Sequence, residues 1–221
     1  MKKSILIAAV ALLSTGALAV ETNLSPGQVE ANYTEAIEGR ATDILKVLAL
    51  TDTPKSAKVH DAIIAQYRAL RTWHDENDAR LKAAVGDTNA VADICASLKT
   101  IHDAFIARLS ETLSPEQVER VKDKMTYNKV QVTYDAYCEI IPTLTTAQKA
   151  RILELLKAAR EEAMDGGSAN EKSAIFKKYK GRIANYLSKE GVDESKARKE
   201  WAARQKEKAA AGTGSKTDIT H

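Results

Sequence analysis

Three histidines in the body of the chain are each followed by aspartate: His60-Asp61, His74-Asp75 and His102-Asp103. Sequence neighbours on a helix point about 100° apart, so none of these pairs is a ready-made dyad. His74 and His102 fall on the apolar stripes of two successive helical segments, and would face each other across a helical hairpin. With Asp78 they offer imidazole and carboxylate, the donors zinc and its neighbours prefer. No HExxH and no i,i+4 histidine pair supports such a site. The expectation is no metal and no cofactor, with the histidines satisfied at the core boundary. As acid or base, His74, His102 or Tyr134 would suit a polysaccharide lyase or hydrolase. There is no GxSxG and no phosphate-binding glycine loop, and a non-enzymatic role is favoured.

A second group of residues suits binding. The stretch from Met125 to Tyr137, MTYNKVQVTYDAY, holds three of the seven tyrosines. Tyr127 and Tyr134 give flat apolar area with a hydroxyl, a match for sugar rings or extended peptide. Lys180, Arg182 and Asn185 on a later helix would add charge and amide groups for an acidic sugar. Tyr127, Tyr134, Lys180, Arg182, Asn185, His74 and His102 are therefore the candidate ligand-binding residues. The plainer alternative is that the tyrosines seal the edge of a helical bundle.

The elements that would carry these residues are helices. Leu24-Ser25-Pro26-Gly27-Gln28, Leu113-Ser114-Pro115-Glu116-Gln117 and Leu144-Thr145-Thr146-Ala147-Gln148 each read as a capping box. In the first two, Leu24 with Val29 and Leu113 with Val118 would form hydrophobic staples. Thr53-Pro54 opens a long helix whose stripe is His60, Ile63, Tyr67, Leu70, His74, Asn77 and Leu81. Gly86 turns the chain, and Asp87-Thr88 caps the next helix, with its stripe from Val91 to Leu109. Asp165-Gly166-Gly167-Ser168 reads as a helix stop with a left-handed glycine. Gly181, inside the following helix, suggests close packing or a kink. Val130-Gln131-Val132 reads as extended, and Thr133 as the cap of a short helix. The expected fold is all-α: a bundle of about six to seven helices with a tyrosine-rich irregular segment.

Composition sets the compartment. Lys2 and Lys3, the short apolar run from Ile5 to Leu13, and Ala17-Leu18-Ala19 form an export signal over residues 1–19. A single helical domain over 20–211 and a disordered tail over 212–221 would follow. Loss of Lys2 and Lys3 lowers the net charge from +3 to +1, which gives no support for nucleic-acid binding. The protein is expected in the periplasm or outside the cell, with no membrane span after cleavage. Its partners would be a glycan or another envelope protein. Cys95 and Cys138 could pair there, adding about 3–5 kcal/mol, or remain small buried thiols.

Several motifs together resemble a known family. They are Ala65-Gln66-Tyr67-Arg68 with His74-Asp75; His102 with Phe105-Ile106-Ala107; Leu113 to Val118 with Val121-Lys122-Asp123; Met125-Thr126-Tyr127; and Val132-Thr133-Tyr134. Ala159-Arg160-Glu161 with Ala163-Met164-Asp165, and Tyr179 to Ile183 with Asn185-Tyr186-Leu187, complete the set. Over most of the chain this resembles the exported bacterial domain of unknown function 3826. The resemblance implies an association with polysaccharide degradation and brings no catalytic residue. A thinner similarity, through Leu113 to Gln117 and Leu144 to Gln148, is to periplasmic LTxxQ-box chaperones, which would make the protein a stress adaptor.

Overall fold

The structure, a computed structural model, describes residues 24–214, with side chains to residue 210. The expected export signal, and the tail beyond Gly214, lie outside the described residues. Eight helices and no strand are present among them: α1 (Pro26–Leu48), α2 (Thr53–Ala83), α3 (Thr88–Ser110), α4 (Pro115–Met125), α5 (Lys129–Ile140), α6 (Thr146–Met164), α7 (Ala169–Lys189) and α8 (Glu194–Gly214). The fold is all-α, with eight helices where six to seven were expected.

The chain divides into two units at Glu35. The described part of the first is the start of α1. Ser25 and Gln28 exchange the reciprocal bonds of a capping box at 2.9 and 3.3 Å, while Leu24 and Val29 stay half exposed and form no buried staple. The second unit holds everything from Ala36 onward.

In that unit the local signals act as read. Ser114 with Gln117, and Thr145 with Gln148, form complete capping boxes. Leu113 and Val118 are both buried, as a staple requires. Asp52 caps α2 and Asp87 caps α3. Helices α2 and α3 form an antiparallel hairpin turned at Gly86, whose φ of 99° needs glycine. The Trp73 indole donates to Ser97 Oγ at 2.8 Å across the pair and fixes its register.

The second half of the unit surrounds one core. Val130, Tyr137 and Ile140 of α5, Ile152, Leu156 and Ala159 of α6, and Phe176, Ile183 and Leu187 of α7 fill it. Its α6–α7 pair is the most extensive helix–helix interface. Helix α8 is polar nearly all round; Ala197 and Trp201 pack against this core, and side-chain bonds fasten it to α5. Trp201 and Gln205 both donate to Glu139 Oε1, and Arg204 donates to the carbonyls of Glu139 and Ile140.

Four local expectations need correction. Val130 to Thr133 are helical, because burying Val130 and Tyr137 on one face requires α5 to begin at Lys129; its N-cap position is Asn128, not Thr133. The irregular segment shrinks to Thr126, Tyr127 and Asn128. Gly166 and Gly167 do not take the left-handed conformation; their small size is what the fold uses, as described below. Gly181 permits no close approach, since a Cβ there would meet nothing within 4 Å, and α7 runs unbroken through it.

Candidate functional site

Helices α2, α3, α4, α6 and α7 meet in a polar junction that is partly buried. His74 has 15% of its side chain exposed and His102 16%. The His74 Nε2–H donates to the Asp165 main-chain carbonyl at 2.8 Å, while Nδ1 faces Asp78 Oδ1 at 2.9 Å. Both ring nitrogens therefore face acceptors, which only the doubly protonated ring satisfies while Asp78 stays ionised. Burial opposes that charge, but the bonds to Asp165 and Asp78 outweigh it and raise the His74 pKa. His102 Nδ1 lies 3.0 Å from Asp165 Oδ1, and that bond is the main reason its pKa is also raised. Asp165, at the C-cap of α6, thus joins α2 through its backbone and α3 through its side chain.

The junction continues along α4 and α6. Lys122 reaches Glu161 at 3.0 Å and Glu119 at 3.2 Å. Arg160, 3% exposed, pairs with Glu119, with Asp123 at 2.7 Å and with Glu161 at 3.1 Å. Burial works against the Arg160 charge, but the bonds to Asp123 and Glu119 outweigh it and raise its pKa. None of the partners is a sequence neighbour except Glu161. Asp75 and Asp103, adjacent to the two histidines, pair instead with Arg71 and Lys99. At His60 the adjacent aspartate does make contact, at 3.3 Å, alongside Glu38 at 2.8 Å.

The chain passes from α6 to α7 directly beneath His74. A Cβ built on Gly167 would lie 2.8 Å from the His74 ring carbons, and one on Gly166 would lie 3.1 Å from Lys172 Cγ. The glycine pair lets the α6–α7 corner close on these two side chains. Gly167 N–H then donates to Glu171 Oε2 at 2.8 Å.

Lys172 is the most unusual group here. Its side chain is buried, and its ammonium donates to the Met125 carbonyl at 3.1 Å, one of the free carbonyls at the end of α4. Burial, reinforced by the Arg40 guanidinium, lowers its pKa to about 8. Two cations share one aromatic ring: Arg40 stands 5.4 Å and Lys172 6.0 Å from the Tyr67 centroid.

Tyr67 and Arg40 also line a cavity of about 200 Å³, with Asp43, Ile44, Lys124, Met125, Tyr127 and Asn128 as its other walls. The turn that shapes it is strained. Tyr127 and Asn128 both have left-handed backbones, with φ of 59° and 54°, which costs about 1–2 kcal/mol for a residue such as tyrosine. Thr126, fully buried, anchors the turn through Oγ1 to the Lys122 and Asp123 carbonyls. Asn128 N–H returns to the Asp123 carbonyl at 2.8 Å. Tyr127 is left 46% exposed at the cavity, with the Lys129 ammonium 6.0 Å from its ring centre.

A family model for DUF3826, protein of unknown function, matches residues 34–207, most of the chain. The chain belongs to this family. No curated protein matches it. The segments that resemble the family contribute to both features of this DUF3826 member: Tyr67, His74, His102, Lys122, Asp123, Met125, Tyr127, Arg160 and Asp165 belong to the junction or its cavity.

The seven candidate residues separate into four places. His74 and His102 are brought together on Asp165, with their ring nitrogens turned to acceptors, and neither lines the Tyr127 cavity. Tyr127 lines that cavity. Tyr134 lies against the α5–α6–α7 core. Lys180, Arg182 and Asn185 are exposed on α7, where Arg182 covers Tyr179 at 4.4 Å. They lie about 12–20 Å along the helix axis from Lys172. Arg40, Lys124 and Lys172 were not among the candidates, and only tertiary packing reveals them; Tyr67 was visible as a stripe residue. Among the described residues no group of three or more His, Cys, Asp or Glu side chains could hold a metal ion, and Cys95 and Cys138 are free thiols.

Proposed function

We propose that the protein binds an acidic sugar unit in the cavity walled by Tyr67 and Tyr127, as an exported, non-enzymatic accessory to polysaccharide breakdown. One observation carries this reading: Arg40 and buried Lys172 converge on the ring of Tyr67 at the cavity. Like charges held this close repel, and a carboxylate between or beside them relieves the repulsion. Lys124 joins Arg40 in the cavity wall, against the single carboxylate of Asp43. The exposed face of Tyr127 supplies a surface for the sugar ring. A volume of about 200 Å³ suits one monosaccharide residue rather than a polymer, so the chain end or a side branch would be bound. Asp43 and Asn128 would accept from and donate to hydroxyl groups.

Calorimetric titration with galacturonate and with galactose tests this. Binding of galacturonate, weakened at least about tenfold by Arg40→Ala, with little or none for galactose, is the expected result. Equal affinity for both sugars, or binding unchanged in Arg40→Ala, would overturn it.

A further inference from the structure

A second cavity, of about 220 Å³, lies in the groove between α2 and α3, away from the Tyr127 turn. Its α2 wall is Ala62, Ala65, Gln66 and Ala69; its α3 wall is Ile101, Ala104, Phe105 and Arg108. The register set by Trp73 and Ser97 places Ala69 opposite Ile101, Gln66 opposite Ala104, and Ala62 opposite Arg108. The groove exists because α2 presents three alanines where larger side chains would otherwise fill the seam. Small residues alone would mean little.

Gln66 changes that reading. It is only 4% exposed, and its side-chain nitrogen is buried with no hydrogen-bond partner among the described residues. A buried amide donor left unmade is costly, and in a settled core it finds an acceptor. Gln66 is one of the walls of this open apolar space. Arg108 stands one helical turn further along, about 6 Å on, exposed and without an ion pair among the described residues. An unused donor, a cation one turn away and an otherwise apolar wall describe one class of ligand.

We propose that the α2–α3 groove binds a small apolar carboxylic acid, its carboxylate accepting from Gln66 and pairing with Arg108. Its hydrocarbon part would run toward Ala69 and Ile101, where Phe105 and the alanine methyl groups exclude water. A neutral alcohol of the same length would lose the pairing with Arg108. An acidic sugar would meet apolar walls with no partners for its hydroxyls, so this groove and the Tyr127 cavity select different ligands.

The probe is hexanoate, followed by two-dimensional amide NMR and by calorimetry on the whole chain, with hexan-1-ol as the neutral control. Hexanoate should shift the amide signals of α2 and α3 around Gln66 and Arg108, and leave those of Tyr127 and Asn128 in place. Arg108→Gln, an exposed change, should weaken binding about tenfold. Ala65→Leu should fill the groove and abolish it. Gln66→Leu should abolish binding while raising the melting temperature, because it removes the unmade donor; a glutamine kept only for packing would not separate the two effects. No shift in the groove at millimolar hexanoate, equal affinity for hexan-1-ol, or binding indifferent to Ala65→Leu and Arg108→Gln would each overturn the proposal.

Discussion

Gly167 lies so close to His74 that a single added carbon at its Cα would sit 2.8 Å from the imidazole ring. The ring cannot retreat without breaking its bonds to Asp165 and Asp78. Gly167→Ala should therefore destabilise the fold by about 1–3 kcal/mol, the range for overpacking a tight site. Adding His74→Ala should recover part of that loss. Chemical denaturation of the two single variants and the double variant measures the coupling, and strictly additive losses would contradict it.

The charge on the junction predicts how stability follows pH. The pKa values of His74 and His102 are raised above the ordinary 6.5. Their contribution is fully present below about 6.5 and is lost as pH rises through the folded values. Glu119 works at the other end. Burial opposes its charge, but Arg160 lowers its pKa overall, so its contribution is lost as pH falls below the usual carboxylate range. The melting temperature should peak at mildly acid pH and decline toward pH 8. In the His74→Gln/His102→Gln double variant the decline on the alkaline side should flatten.

Lys172 acts in the opposite sense. With its pKa lowered to about 8, its charge weighs against folding fully below pH 8, and the cost fades toward its ordinary 10.5. An anion bound in the cavity against Arg40 would offset the guanidinium's effect and raise that pKa again. Galacturonate binding near pH 8 should then take up part of a proton, seen as a dependence of the calorimetric heat on the buffer's ionisation enthalpy. Lys172→Met should remove this dependence.

Gly181 offers a control outside both sites. It is exposed on α7 and a Cβ there has open space, so Gly181→Ala should stabilise by about 1 kcal/mol through helix propensity alone. A loss of stability in thermal unfolding would count against the open space around Gly181.

What could be read in the sequence was what depends on neighbours. Ser114 with Gln117, and the His60 to Leu81 stripe, are written in spacings of three and four residues, and both took the expected form. The stretch from Val130 to Thr133 was misread because β-branched residues favour strand locally, while the demand to bury Val130 and Tyr137 together comes from α6 and α7. The glycines at 166 and 167 carry the composition of a helix stop, but their reason is Lys172 on α7 and His74 on α2. The pairing of His74 and His102 through Asp165 spans more than sixty residues of chain. Lys172 carries no local sign at all, since the same residue on an exposed face would be an ordinary surface cation.

The Trp73 ring stands edge-on to His74, with centroids 5.0 Å apart. The only other tryptophan, Trp201, is on α8, bonded to Glu139. An imidazolium quenches indole emission more strongly than a neutral imidazole does. In a Trp201→Phe variant, then, fluorescence becomes an intrinsic gauge of the His74 proton. The protonation state of the place where five helices meet can be followed in solution, without a label.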